Sequence, residues 1–199
     1  RQAKLYVDEV IVVDDGSQDK SHKLAEEAGA TALRHHINLG KSCALKTGCE
    51  AALRRSADII IFMDSDGQHR PEDLPRFIKA LKDREADLVI GVRVGGDKMP
   101  LLRKGGNRLL EIMARLLFGI SAKDIQSGYR GFRIESYPIL RWSSKGYHAD
   151  AEITIRAINH GLKCKEIFIQ TIYNDPHKGM TILDGLGLII QILIWKFTL

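Results

Sequence analysis

The chain has 199 residues, 44% of them hydrophobic and 28% charged. That is room for one domain with its own core, and it excludes the disordered and collagen-like classes. Thirty Lys and Arg against 25 Asp and Glu leave a formal charge of +5, an excess too small to announce a nucleic-acid partner, and none is expected.

Cys43, Cys49 and Cys164 form neither a C-x-x-C pair nor a Cys/His cluster, so a disulfide scaffold and a zinc knuckle are both unsupported, and a reducing compartment is the default. The chain opens on Arg1 without an apolar leader. Glu9–Asp14, Asp58–Met63 and Ala86–Val92 are β-branched apolar runs that read as strands buried on both faces. Helical segments are expected between them at Lys20–Ala28, closed by Gly29, at the Ala-rich Lys41–Arg55, and at Glu72–Lys82 just after Pro71. Strand–helix alternation with short links predicts an α/β sandwich around a mostly parallel sheet.

After the loop Val94–Pro100, an amphipathic helix is expected over Leu101–Phe118. A short strand near Tyr129–Ile134, a helix over Ala149–Asn159 and a last strand at Lys165–Gln170 complete the pattern, with no internal repeat. Residues 1–175 read as one domain, and 176–199 as an amphipathic extension. Ile182–Leu199 is strongly apolar but carries Asp184, Gln191 and Lys196. It is a poor complete span, and either a final core helix or a membrane-facing one.

The chemistry concentrates at strand ends, where open α/β sheets bind ligands. Asp64-Ser65-Asp66-Gly67-Gln68 closes one strand, and two carboxylates with an amide suit a hard cation such as Mg²⁺ or Mn²⁺ carrying a diphosphate. A calcium EF-hand loop would need Gly and an acid where His69 and Pro75 stand. A haloacid-dehalogenase-type phosphatase with Asp64 as nucleophile, and a solvated acidic turn, remain as alternatives. Upstream, Asp14-Asp15-Gly16-Ser17-Gln18-Asp19 ends another strand, with acids that can accept hydrogen bonds from a base or ribose and with Ser17 or Asp19 placed to cap the next helix. Asn38-Leu39-Gly40-Lys41 opens the Ala-rich helix as a phosphate neighbourhood. The His35/His36 pair, on a turn without a matching acid, is expected to be inert, and His69 is a candidate ligand.

Three segments, V-V-D-D-G-S-x-D (12–19), N-x-G-K-x-x-A-L-x-x-G (38–48) and M-D-S-D-G-Q-H-x-P-E-D (63–73), together resemble family 2 glycosyltransferases of the GT-A fold. Asp124-Ile125-Gln126-Ser127-Gly128-Tyr129-Arg130-Gly131-Phe132 resembles the polyprenyl-phosphate branch, typified by dolichyl-phosphate mannose synthase. The resemblance covers about residues 9–175. The family's opening strand and its P-x-Y-N-E motif are absent from this chain, so either the numbering starts downstream of them or nucleotide binding is incomplete.

The resemblance implies an inverting, metal-dependent glycosyltransferase that uses Mg²⁺ or Mn²⁺. The donor would be GDP-mannose, UDP-glucose or UDP-N-acetylglucosamine, and the acceptor a polyprenyl (dolichyl) phosphate. Asp14, Asp15, Asp19 and Lys41 would serve the nucleotide. Asp64, Asp66 and Gln68 would surround the metal, with ligation chiefly by Asp66 and Gln68. Arg93, Arg103 and Asn107 would hold the acceptor phosphate, with Ser127, Gly128 and Arg130 beside it. Glu152 stands where many family members carry a catalytic acid. A sugar hydroxyl as acceptor, with Glu152 or Asp150 as base, and a non-catalytic nucleotide-sugar binding module are the alternatives.

Charge placement points independently to an anionic acceptor. From Arg93 to Arg115 six basic residues (Arg93, Lys98, Arg103, Lys104, Arg108, Arg115) stand against Asp97 and Glu111, which suits phosphate or an anionic membrane surface. The cytoplasmic face of a membrane is therefore the expected location.

Overall fold

The computed structural model describes residues 1–94, 101–119, 124–146, 148–170 and 182–199. Strands and helices alternate as β1 (Ile11–Asp14), α1 (Ser21–Glu27), β2 (Thr31–Arg34), α2 (Lys41–Arg54), β3 (Ile59–Phe62), α3 (Leu74–Lys82) and β4 (Leu88–Val94). Then follow α4 (Leu101–Phe118), β5 (Arg130–Arg133), the one-turn α5 (Tyr137–Leu140), α6 (His148–Asn159), β6 (Cys164–Gln170) and α7 (Ile182–Thr198). All the expected elements form. β2 and α5 were not foreseen, because Thr-Ala-Leu-Arg and Tyr-Pro-Ile-Leu are too short to display a period.

β1 and β2 pair in parallel, and a second sheet has the order β3-β5-β4-β6. β5 is antiparallel to both β3 and β4, whereas β6 is parallel to β4. Three of the four strands thus share one direction and β5 alone is reversed. That reversal matters for the site: the segment leading into β5 emerges at the edge where β3 and β4 end.

Alternation along the strands feeds two cores. Ile60, Phe62, Leu88 and Ile90 face α2 and α6, with Trp142, Phe132 and Ile153. Val89, Ile59 and Ile61 face the other way, onto Leu74, Phe77 and Leu81 of α3. A third cluster joins Leu110 and Ala114 of α4, Ala151 and Ile155 of α6, and Leu188, Ile192 and Trp195 of α7. Both tryptophans are therefore core residues. Burying Leu188, Ile192 and Trp195 contributes roughly 1.5–3 kcal/mol per side chain before entropy is counted, so α7 is anchored to the domain by its own apolar stripe.

Candidate active site

Lys41, the first residue of α2, is the centre of the site. Its Nζ lies 2.9 Å from Asp64 Oδ1, just beyond β3, and 3.4 Å from Asp150 Oδ2, in the first turn of α6. Gly128, in the segment before β5, closes the fourth side. A Cβ built on it would fall 2.5 Å from Asp64 Oδ2 and 2.9 Å from Lys41 Nζ, so only a glycine lets that backbone approach the pair. Burial opposes the charge on Lys41, but Asp150 and Asp64 outweigh it and raise its pKa above the usual 10.5. Asp64 is the mirror case: burial would raise its pKa, and Lys41 holds it below 3.8.

Arg130 and Glu152 lie beneath this centre, and neither faces it. Arg130 is fully buried. Its guanidinium donates to the carbonyls of Ser127, Ile125 and Asp150 and to Thr154 Oγ1, with Asp150 Oδ1 at 3.4 Å. Arg130 thus shapes the 125–127 turn from inside. Ser127, 1% exposed, keeps a hydroxyl with no hydrogen-bond partner.

Glu152 is also fully buried. It accepts from the amides of Ser143 (2.9 Å) and Ser144 (2.8 Å), from Ser143 Oγ (3.3 Å) and from Arg156 Nε (2.7 Å). With four donors it is tied to the 143–144 turn. That turn is bolted in turn to α2, because Ser42 Oγ donates to the Ser144 carbonyl and Trp142 Nε1 donates to Ser42 Oγ.

Glu152 supplies a pH prediction. Burial alone would raise its pKa, but Ser144, Ser143 and Arg156 hold it below 4.5. Its contribution to stability is therefore complete above pH 4.5 and is lost as pH falls through the lower folded value. Glu152→Gln, which removes the charge and sets an amide N–H₂ against N–H donors, should lower stability by about 2–4 kcal/mol at pH 7. The deficit should shrink on acidification, as read by denaturant unfolding at pH 7 and pH 4.

The Asp64–His69 loop is organised by His69, 7% exposed, whose Nδ1 accepts the Asp64 amide at 3.0 Å. Burial keeps this imidazole below its usual 6.5 and hence neutral. Its ring stacks on Tyr129 (4.8 Å), which stacks on Phe77 (4.6 Å). His69 therefore holds the loop instead of offering itself as a ligand. Asp66 is exposed, and its Oδ1 accepts the Gln68 amide at 3.0 Å. A cleft of about 470 Å³ lies against this loop, lined by Met63, Asp64, Ser65, Gly67, His69 and Arg70 together with Arg1–Ala3 and Pro71–Glu72.

At the neighbouring strand end, Asp14 Oδ1 accepts the Ser17 amide at 2.9 Å, and Oδ2 lies 3.4 Å from Arg34 Nε. Hydrogen bonding to Ser17 holds its pKa below 3.8. Asp19 Oδ1 accepts the Ser21 amide at 2.9 Å in a turn just ahead of α1, whose N-cap position is Lys20 and carries no side-chain cap, so neither Ser17 nor Asp19 caps the helix as expected. Asp15 is bound to His35 at 2.6 Å, so the expectation that the histidine pair lacks a matching acid is overturned. The acid comes from the adjacent strand: Asp14 pairs with Arg34 across β1–β2, which sets Asp15 beside His35.

Arg93 makes a fork-to-fork pair with Asp124, both bonds 2.6 Å. The side chains of Arg103 and Asn107, and most of the basic stretch around them, lie outside the described residues. The structure thus gathers Lys41, Asp64, Asp150 and Gly128 into one centre, with Asp66 and Gln68 at its rim and Asp14–Asp19 at the next strand end. The Arg93–Asp124 pair, 31 residues apart, and the Lys41–Asp150 contact carry no local sequence signal.

The family model of glycosyl transferase family 2 matches residues 1–139. The UDP-N-acetylglucosamine–dolichyl-phosphate N-acetylglucosaminyltransferase of Methanococcus voltae is 30% identical over 214 residues, covering 95% of this chain and 85% of that protein. The polyprenol monophosphomannose synthase of Mycolicibacterium smegmatis is 36% identical over 189 residues, covering 88% of this chain and 70% of that protein. Among solved structures, glucosyl-3-phosphoglycerate synthase from Mycobacterium tuberculosis, in complex with Mn²⁺, UDP-glucose and phosphoglyceric acid, superposes with a TM-score of 0.75 at 22% identity, over 96% of this chain and 69% of that one. At that identity the last likeness speaks for the GT-A fold alone. Strand-end acids in the family's order, a matching family model and relatives of this similarity agree that the chain is a glycosyltransferase belonging to glycosyl transferase family 2.

Proposed function

We propose that the protein transfers a sugar from a nucleoside-diphosphate sugar to a polyprenyl phosphate, with inversion at the anomeric carbon. The observation that carries this reading is the engagement of the carboxylates around the centre. Asp64 and Asp150 both face Lys41, and Glu152 is enclosed by four donors. A sugar hydroxyl would need a general base to take its proton, whereas a phosphate is already anionic at neutral pH and needs alignment only. The dolichyl-phosphate and polyprenol-phosphate relatives support the same acceptor class.

In this reading the acceptor phosphate oxygen forms a bond to the anomeric carbon as the bond to the diphosphate oxygen breaks. Lys41 and the N-terminus of α2 present positive charge to the diphosphate. Asp14 faces the nucleoside, and Ser127, on the turn that Arg130 braces, faces the acceptor side. Arg93, with Arg103 and Asn107 of α4, serves the acceptor phosphate.

The residues fit a divalent cation. Asp66 and Gln68 offer hard oxygen donors at an exposed loop, while Asp64 already has a cation in Lys41. Among the described residues no group of three His, Cys, Asp or Glu is placed to hold a metal ion; a magnesium-like ion held by one or two protein oxygens takes its remaining ligands from water and substrate phosphates. When bound, such an ion would neutralise charge growing on the leaving diphosphate.

α4 and α7 give the reading a location. Each keeps an apolar stripe exposed beside the one it buries: Leu109, Ile112 and Leu116 on α4, and Ile190, Leu193, Ile194 and Phe197 on α7. Among the described residues no helix is long and apolar enough to cross a membrane, so the pair is read as lying on a membrane surface, next to a lipid-borne acceptor.

The test uses liposomes containing polyprenyl phosphate, Mg²⁺ or Mn²⁺, and labelled GDP-mannose, UDP-glucose or UDP-N-acetylglucosamine in separate reactions. One donor should label the lipid, and the protein should float with the vesicles. Label on soluble sugars with none on lipid would overturn the acceptor assignment.

A further inference from the structure

We infer that His35 is a positioning residue, a strut between Asp15 and Thr47 that fixes the 36–40 loop and so sets where α2 begins and where Lys41 stands. This rests on the transferase reading only for the role of Lys41.

Asp15 leaves β1 and His35 leaves β2. The ladder continues one step past the strands, with the His35 amide donating to the Asp14 carbonyl at 2.9 Å. The imidazole is thereby held edge-on to the Asp15 carboxylate. His35 Nδ1–H donates to Asp15 Oδ1 at 2.6 Å, and its Nε2 accepts from Thr47 Oγ1 at 2.9 Å, the tautomer following from these partners. Thr47 lies on the second turn of α2, so the ring ties that helix to the sheet.

The same carboxylate grips the loop. Leu39 N–H donates to Oδ1 at 2.9 Å and Gly40 N–H donates to Oδ2 at 2.7 Å. Gly16 presses from below, since a Cβ there would meet Asn38 N and Ile37 C at 2.7 Å, and its φ of +76° also demands glycine. The Asp15 and His35 side chains are only 18% and 11% exposed. Oδ1 is filled by His35 and Leu39, and Oδ2 already accepts the Gly40 amide, so three of the carboxylate's four acceptor sites hold the chain's own donors. Asp15 and His35 act on the donor through Lys41, one residue beyond Gly40.

The experiment compares His35→Leu, His35→Gln, Asp15→Asn and the Asp15→Asn/His35→Leu double variant. Glutamine can donate to Asp15 and accept from Thr47, so it tests the strut rather than the imidazole. Two measurements are made: amide hydrogen exchange over residues 36–44, and binding of GDP and of UDP with Mn²⁺ by calorimetry. His35→Leu should speed exchange over 36–44 and weaken the nucleotide that binds about tenfold, as expected when a contacting group is displaced by a fraction of an ångström. His35→Gln should restore both, and the double variant should bind no worse than Asp15→Asn, because both changes break one unit. Unaltered exchange in His35→Leu would overturn the strut. So would a loss of affinity in Asp15→Asn with wild-type affinity in His35→Leu, since Asp15 would then touch the nucleotide itself. If the wild type binds neither nucleotide, the transferase reading falls, and exchange alone decides whether the strut stands.

Discussion

Replacing Gly128 with alanine is expected to cut sugar transfer by about a hundredfold or more while the protein still folds. The added methyl carbon would sit 2.5 Å from Asp64 Oδ2, 3.1 Å from Asp64 Cγ and 2.9 Å from Lys41 Nζ. Lysine can swing its ammonium aside at little cost, but aspartate has one carbon between carboxylate and backbone and must move its loop. That loop is held by His69 Nδ1 on the Asp64 amide, with the His69 ring stacked on Tyr129, the residue after Gly128. The methyl therefore pushes against a braced partner, or drives the 125–128 turn away from it.

Either displacement spoils the centre, and a misplacement of about 1 Å at a reacting group costs on the order of a hundredfold in rate. Overpacking at one methyl costs typically 1–3 kcal/mol, less than most domains hold. The measurement is kcat/KM for lipid-linked transfer beside a thermal melt of the same sample. Wild-type turnover in Gly128→Ala would show that the Lys41–Asp64 contact does not bear on transfer.

Much of this site could be read from the chain, and the reasons differ residue by residue. Asp64, Asp66 and Lys41 were legible because each sits where a strand ends or a helix begins, and those positions follow from local apolar runs and a glycine. The fold class followed from the same runs. Arg130 was legible as a charge but not as a direction. Its burial depends on β5 being reversed between β3 and β4, which no local pattern in Tyr129–Ile134 encodes. Glu152 likewise reads as an acid on a helix, and only the packing of residues 142–144 against α2 and α6 shows it surrounded by donors. His35 has no acid nearby in sequence to mark it. Once β1 and β2 are aligned in parallel, Asp15 lies next to it, so a register argument would have found the pair. The strand β2 needed for that argument was too short to announce itself.

Lys41→Met is expected to lower stability and turnover together. The variant keeps length and apolar stem but leaves two carboxylates facing each other without the cation between them. Asp150 is 3% exposed at its side chain and retains Arg130 Nε at 3.4 Å, whereas Asp64 keeps about a third of its side-chain surface in water. Breaking a fully buried pair costs about 3–5 kcal/mol; partial access to water and the remaining arginine reduce this to about 2 kcal/mol.

The sign of the pH dependence separates this electrostatic loss from a packing defect. Lys41 has a raised pKa, so its contribution is complete below 10.5 and fades as pH climbs through the higher folded value. Asp64 has a lowered pKa, so its contribution is complete above 3.8 and fades as pH falls through the lower folded value. The deficit of Lys41→Met should therefore be flat between about pH 5 and pH 9 and shrink toward both extremes, whereas a packing defect would be the same at every pH. Transfer should fall by about 10²–10³, the range for removing one preorganised charge from a developing anion. Lys41→Arg should keep the stability plateau but not the rate, because a planar guanidinium cannot occupy the point between Asp64, Asp150 and the Gly128 backbone. Full activity in Lys41→Arg would mean that charge alone, without the ammonium's position, suffices at this centre.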